Sequence, residues 1–92
     1  MIRLELLPPL TRIVGEKEVL VDLARGPLRL VLERAVAENG KLRRALSGGA
    51  GRLSEEYACL VNGDRYNLSD LGDVEVGEGD HITVMLPLAG GA

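Results

Sequence analysis

The sequence predicts an α+β fold: a mixed sheet of about five strands with one main helix packed on one face. Three observations carry this. The chain has 92 residues, enough for one compact domain and too few for two. Its alternating apolar segments lie at both ends, and one stretch of helical periodicity lies between them. A helix between two groups of strands must cover one face of the sheet those strands make. With two Tyr and no Trp or Phe, the core has to be built from Leu, Val, Ile and Ala.

Residues 2–7 alternate, with Ile2, Leu4 and Leu6 on one face and Arg3 and Glu5 on the other. This is a half-buried strand, ended by Pro8-Pro9 because proline cannot donate to a ladder. Residues 11–17, with Gly15 among charges, read as a turn. Residues 18–24 alternate again, with Val19, Val21 and Leu23 opposed to Leu20, Asp22 and Ala24, so the first two strands form a hairpin. Gly26-Pro27 breaks the pattern, and proline suits the first helical position. Leu28, Val31, Leu32, Ala35 and Val36 then follow at helical spacing, with Arg29, Glu33 and Arg34 mostly on the wet side. Asn39-Gly40 is the stop signal. A second short helical piece is expected over 41–46.

Ser47-Gly48-Gly49-Ala50-Gly51 reads as a loop. A phosphate-binding loop would need a strand before the glycines and Lys-Ser/Thr after them, whereas a helix precedes and Arg52-Leu53 follows. Residues 57–62 are nearly all apolar, as in a strand buried on both faces. Asn62-Gly63 is a hairpin turn signal. A short strand over 65–68, a loop over 69–73 and a brief extended piece at Val74 and Val76 come next. Gly77-Glu78-Gly79-Asp80 is a tight turn into the last strand, 81–86, with Ile82, Val84 and Leu86 facing in and His81, Thr83 and Met85 facing out. This order places the first and last strands in parallel at the sheet centre, the β-grasp arrangement. Residues 1–86 are therefore expected to form the domain and 87–92 a flexible tail.

Eleven basic residues against fourteen acidic ones give a net charge of −3, which argues against a nucleic-acid or anionic-membrane binder. The densest basic spot, Lys41 with Arg43-Arg44, reads as a solvated helix face. The single cysteine, Cys59, excludes an internal disulfide and fits a reducing compartment. Within its apolar run it reads as a small hydrophobe. The opening residues alternate like a strand and lack the apolar core of a signal peptide, and no apolar run approaches the ~18 residues of a membrane span. The expectation is a cytoplasmic protein. His81 reads as a surface residue, since no further ligands are placed to complete a metal site with it. Asp70, Asp73, Glu75, Glu78 and Asp80 lack the spacing of a calcium loop. They read as an acidic rim near the tail, suited to a basic partner surface. Leu7, Leu20 and Met85 fall on outer faces; gathered into one patch, they would mark a partner surface.

The last third of the chain resembles a known family. Val61-Asn62-Gly63-Asp64, then Leu71, then Val76-Gly77-Glu78-Gly79-Asp80-His81-Ile82, then Leu86-Pro87-Leu88-Ala89-Gly90-Gly91 is similar to the ubiquitin-like sulfur carriers of the MoaD/ThiS type, which include archaeal ubiquitin-like modifiers. The stretch from Leu6 to Gly15 is similar to that family's first loop. The resemblance implies a carrier that is not itself an enzyme and binds no cofactor or metal. An E1-like enzyme uses ATP to adenylate the carboxylate of the terminal glycine, here Gly91 preceded by Gly90. The product becomes a thiocarboxylate for a sulfur-accepting enzyme, or is passed to a lysine of a target protein. Leu86, Pro87, Leu88 and Ala89 would dock the tail in the partner, where glycines thread a narrow channel and proline limits the entropy lost. The sequence departs from the family in having Ala92 after Gly91. A maturation protease that removes Ala92 would free the Gly91 carboxylate. Direct use of Ala92, or a β-grasp module that binds partners without covalent chemistry, are the other readings.

Overall fold

The computed structural model describes residues 1–47, 57–68 and 70–86. Seven strands and three helices follow one another among them. They are β1 (Ile2–Leu6), α1 (Leu10–Val14), β2 (Glu18–Val21), β3 (Arg25–Pro27), α2 (Leu28–Glu38), α3 (Gly40–Ser47), β4 (Ala58–Val61), β5 (Asp64–Asn67), β6 (Glu75–Gly77) and β7 (Ile82–Met85). Five strands form one mixed sheet in the order β2-β1-β7-β4-β5, and β3 pairs with β6 in a separate two-stranded ribbon.

The centre of the sheet is the expected parallel pair. Leu4, Glu5 and Leu6 of β1 lie opposite Ile82, Thr83 and Val84 of β7. Every other pairing is antiparallel: β1 with β2, β7 with β4, and β4 with β5. Alternation along each strand sends Ile2, Leu4, Leu6, Val19, Val21, Cys59, Val61, Ile82 and Val84 to one face. There they meet Leu28, Val31, Leu32 and Ala35 of α2 and Leu42 and Leu46 of α3, all buried. The aliphatic core that the composition requires is thus a single layer between the sheet and the helices.

Several local features differ from the sequence reading, each for a physical reason. Where a turn is expected over 11–17, a helix, α1, runs over Leu10–Val14, because Leu10 and Val14 stand one turn apart and both enter the core. Gly15 closes it with φ 85°, its N–H bonded to the Thr11 carbonyl at 2.9 Å. β2 stops at Val21, where a tight turn joins the Leu23 N–H to the Val21 carbonyl at 2.8 Å, so 22–24 are not strand. Pro27 is the residue before α2, in extended conformation (φ −60°, ψ 140°), and its backbone belongs to β3. Asn39 ends α2 without turning left-handed; instead its Oδ1 accepts the Leu42 N–H at 3.1 Å and caps α3. The Asn62-Gly63 turn is as expected, with positive φ at both residues (52° and 94°) joining β4 to β5. The glycine-rich loop lies outside the described residues, apart from Ser47.

Candidate functional site

The site has to be built around the end of β7, since residues 87–92 are joined to Leu86. Gly90, Gly91, Pro87, Leu88, Ala89 and Ala92 lie outside the described residues. Leu86 is described: it is half-buried and packs against the core, continuing the inward parity of Ile82 and Val84. β7 is the middle strand of five, so its end lies between β1 and β4.

The face of the sheet opposite the helices is laid out in rows by the strand register. One row runs Glu18, Glu5, Thr83, Leu60, Arg65. The next row toward the tail holds Met85, Ala58 and Asn67. Leu7 joins it: its N–H donates to the Val84 carbonyl at 3.2 Å, one residue beyond the Leu6–Val84 pair, which sets it beside Met85. Leu7 is 36% exposed and Met85 and Leu60 are half-buried, while Ala58 is fully buried. Thr83, expected to face water, is only 6% exposed, because in a central strand Glu5 and Leu60 flank it on both sides.

Leu20 does not join this patch. It stands opposite Arg3 at the other end of β1, four residues from Leu7 and so roughly 13 Å away along the strand. A charged belt lies near it: Arg3 Nε to Glu18 Oε2 at 3.3 Å and His81 Nε2 to Glu5 Oε1 at 3.6 Å. The structure therefore brings Leu7 and Met85 together with Leu60 and Ala58, and leaves Leu20 apart. Leu60 and Ala58 were not singled out from the sequence, although alternation within a run buried on both faces assigns them to this side.

The acidic residues are not gathered beside the tail. Glu75, Glu78 and Asp80 precede β7, and six extended residues carry the chain from Asp80 to Leu86, roughly 20 Å. Asp70, bridged to Asn67, does stand at the tail end. Nearness in sequence is undone here by a strand that crosses the molecule. Asp80 instead ties the turn together: its Oδ2 accepts the Gly77 N–H at 2.7 Å and its Oδ1 the Asn62 side-chain N–H at 3.0 Å. These bonds, with the positive charge of Arg25, hold its carboxyl below the usual aspartate range, the Asn62 bond contributing most.

Cys59 is fully buried in β4, and burial pushes its thiol up to about 12. A thiol so seldom ionised is no nucleophile, which agrees with its reading as a small hydrophobe. Among the described residues no three metal-ligating side chains converge, and no helix is long and apolar enough to cross a membrane.

No family model matches the sequence, and no curated protein does. Solved structures do match. Small archaeal modifier protein 1 from Haloferax volcanii superposes with a TM-score of 0.77 at 22% identity, covering 97% of each chain. Its namesake from Methanosarcina acetivorans gives 0.70 at 19% identity, covering 97% of this chain and 94% of that one. Urm1 from Sulfolobus solfataricus gives 0.64 at 18% identity, over 92% and 99%. The fold is the ubiquitin-like β-grasp. At these identities the likeness establishes architecture, and the near-complete coverage in both directions means that it spans the β-grasp from β1 to β7. In this strand order β7 ends at the sheet centre, beside the apolar row of Leu7, Met85 and Ala58.

Proposed function

We propose that this chain is a sulfur carrier, activated at Gly91 by an ATP-dependent E1-like enzyme after a protease removes Ala92. The observation that carries the reading is the junction of two independent features. A β-grasp sheet ends its central strand at Met85, and the sequence Pro87-Leu88-Ala89-Gly90-Gly91 continues from there. Neither feature alone says much: the fold serves many functions, and a Gly-Gly pair is common.

In the proposed cycle a Gly91 carboxylate oxygen attacks the α-phosphorus of ATP and pyrophosphate leaves, giving an acyl-adenylate. Hydrosulfide then attacks the carbonyl carbon, AMP leaves with the C–O bonding pair, and a thiocarboxylate remains. The partner supplies the catalytic groups. This chain supplies the carboxylate, a tail that fits a narrow channel, and the apolar row at the tail's root that docks on the partner.

A second reading has a specific observation behind it, since two of the solved structures described above are named modifier proteins. A lysine amine would then replace hydrosulfide as the final nucleophile, giving an isopeptide bond. The test is the mass of the C-terminal peptide of protein taken from its native host, resolved from peptides carrying oxidised methionine. A peptide ending at Gly91 with sulfur in place of one carboxylate oxygen is the expected result. Ladders of a tagged form on a blot, with only oxygen at Gly91, would favour the modifier. Ala92 retained on every molecule would overturn activation at Gly91 and favour a β-grasp module that binds without covalent chemistry.

A further inference from the structure

Charge is segregated along the direction of β7. At its start the cations are engaged: Arg25 Nε lies 3.9 Å from Glu75 Oε1, Arg3 takes up Glu18, and the amino terminus pairs with Glu78. At its finish the molecule is capped by α1 and by the junction of α2 with α3. This cap carries five cations, Arg12, Lys17, Lys41, Arg43 and Arg44, against two carboxylates, Glu16 and Glu38. Arg12, Lys41 and Arg44 are exposed and enter no ion pair among the described residues. Lys41 and Arg44 line one shallow groove with Val14, Glu16, Glu38 and Asn39, so α1 and α3 present one continuous surface. Ile13, 48% exposed, stands beside Arg12 on α1. Asp70 is at the same end but belongs to the far edge of the sheet, next to β5.

The position of this cap gives it a role. β1 and β7 run in parallel and finish together; α1 follows the one and the tail follows the other. The root of the tail thus has the apolar row of the sheet on one side and the cationic cap on the other. The chain as a whole carries −3, so an acidic surface repels most of it and attracts this end.

We propose that Arg12, Lys41 and Arg44, with Ile13, form a second docking surface that meets an acidic surface on the adenylating enzyme and brings the molecule in tail first. This inference rests on the reading of the chain as a carrier or modifier activated at Gly91. Exposed charges of this kind act mainly on encounter, within a Debye length of about 8 Å at physiological salt. They therefore alter the concentration of carrier needed and leave the chemical step alone.

The test is ATP–pyrophosphate exchange by the E1-like enzyme of the native host, with the full chain and with the chain ending at Gly91 as substrates. The variants are K41E/R44E on the cap and R29E/R34E on the exposed side of α2, which change the net charge equally. The expected result is a KM for the cap variant raised on the order of ten-fold, kcat unchanged, and the salt dependence of KM flattened, with R29E/R34E close to wild type and K41R/R44K restoring affinity. Equal effects of the two charge-reversed variants, or an unchanged KM for the cap variant that retains a native thermal melt, would overturn the cap while leaving activation at Gly91 standing. Exchange with neither wild-type form would overturn the activation reading and the docking surface with it.

Discussion

Asp80 and Asn62 close the end of the molecule remote from the tail, joined side chain to side chain and each bonded to the backbone of a third residue. Asn62 receives the His81 N–H on its Oδ1 at 2.9 Å and donates its own N–H to the His81 carbonyl at 2.8 Å, while Asp80 holds the Asn62 amide and the Gly77 N–H. Because the folded carboxyl titrates below its ordinary value, Asp80 binds protons less readily in the folded chain than in the unfolded one. Its contribution is therefore present above the ordinary aspartate value and is lost as pH falls through the lower, folded one. Asp80→Asn is expected to lower stability at neutral pH and to narrow the gap to wild type in acid. Urea melts of both proteins across the acid limb measure this, and a gap independent of pH would refute it. A larger effect is expected in the core. Leu4 is fully buried between Val19 and Ile82, so Leu4→Ala should cost about 2–5 kcal/mol by lost burial and an unfilled cavity, read from the same melts.

At the scale of elements, the two faces of the sheet make different demands, and this decides how much of the fold the sequence revealed. β1 and α2 were legible because each is long enough to show its period and one side of each meets the core, and β4 because its run is nearly all apolar. α1 was obscured by Gly15 and the charges around it, although Leu10 and Val14 stand one turn apart. β3 has three residues, too few for any alternation to appear, and β6, equally short, showed only as the brief extended piece at Val74 and Val76. Asn39 read as a stop signal alone; in the structure it ends α2 and also caps α3, which packs against α1 and α2. Thr83 read as exposed because alternation assigns a face and says nothing of how crowded that face is in a central strand. The same register sorts the apolar candidates of the outer face. Leu7 and Met85 share a row with Ala58 at the tail's root, and Leu60 lies in the adjacent row, whereas Leu20 is across the charged belt. If that row docks the activating enzyme, Met85→Asp should raise the KM for adenylation on the order of ten-fold or more, as loss of a buried apolar contact does. Leu20→Asp should leave it near wild type. Equal sensitivity at both positions would place the contact elsewhere.

At the scale of the whole molecule, stability and function are separated along the chain. Among the described residues the hydrophobic core runs from Ile2 to Val84, with Leu86 packed against it. The proposed chemistry begins after that point. In the proposed function the fold holds the central parallel strand from whose end residues 87–92 continue, and Gly91 carries the reactive carboxylate. Removal of Gly90, Gly91 and Ala92 is accordingly expected to change stability by no more than about 0.5 kcal/mol, the range of surface substitutions away from packed features. Adenylation by the host's E1-like enzyme should vanish altogether, because the α-carboxylate then left on Ala89 stands two residues short of Gly91 and lacks the glycines that thread the channel. Thermal melts and ATP–pyrophosphate exchange on the same preparation distinguish the outcomes. Intact melting with lost exchange is the signature of a carrier. A marked loss of stability would mean that the tail belongs to the folded body, and the separation argued here would fail. Exchange that survives the deletion would mean that activation does not occur at Gly91.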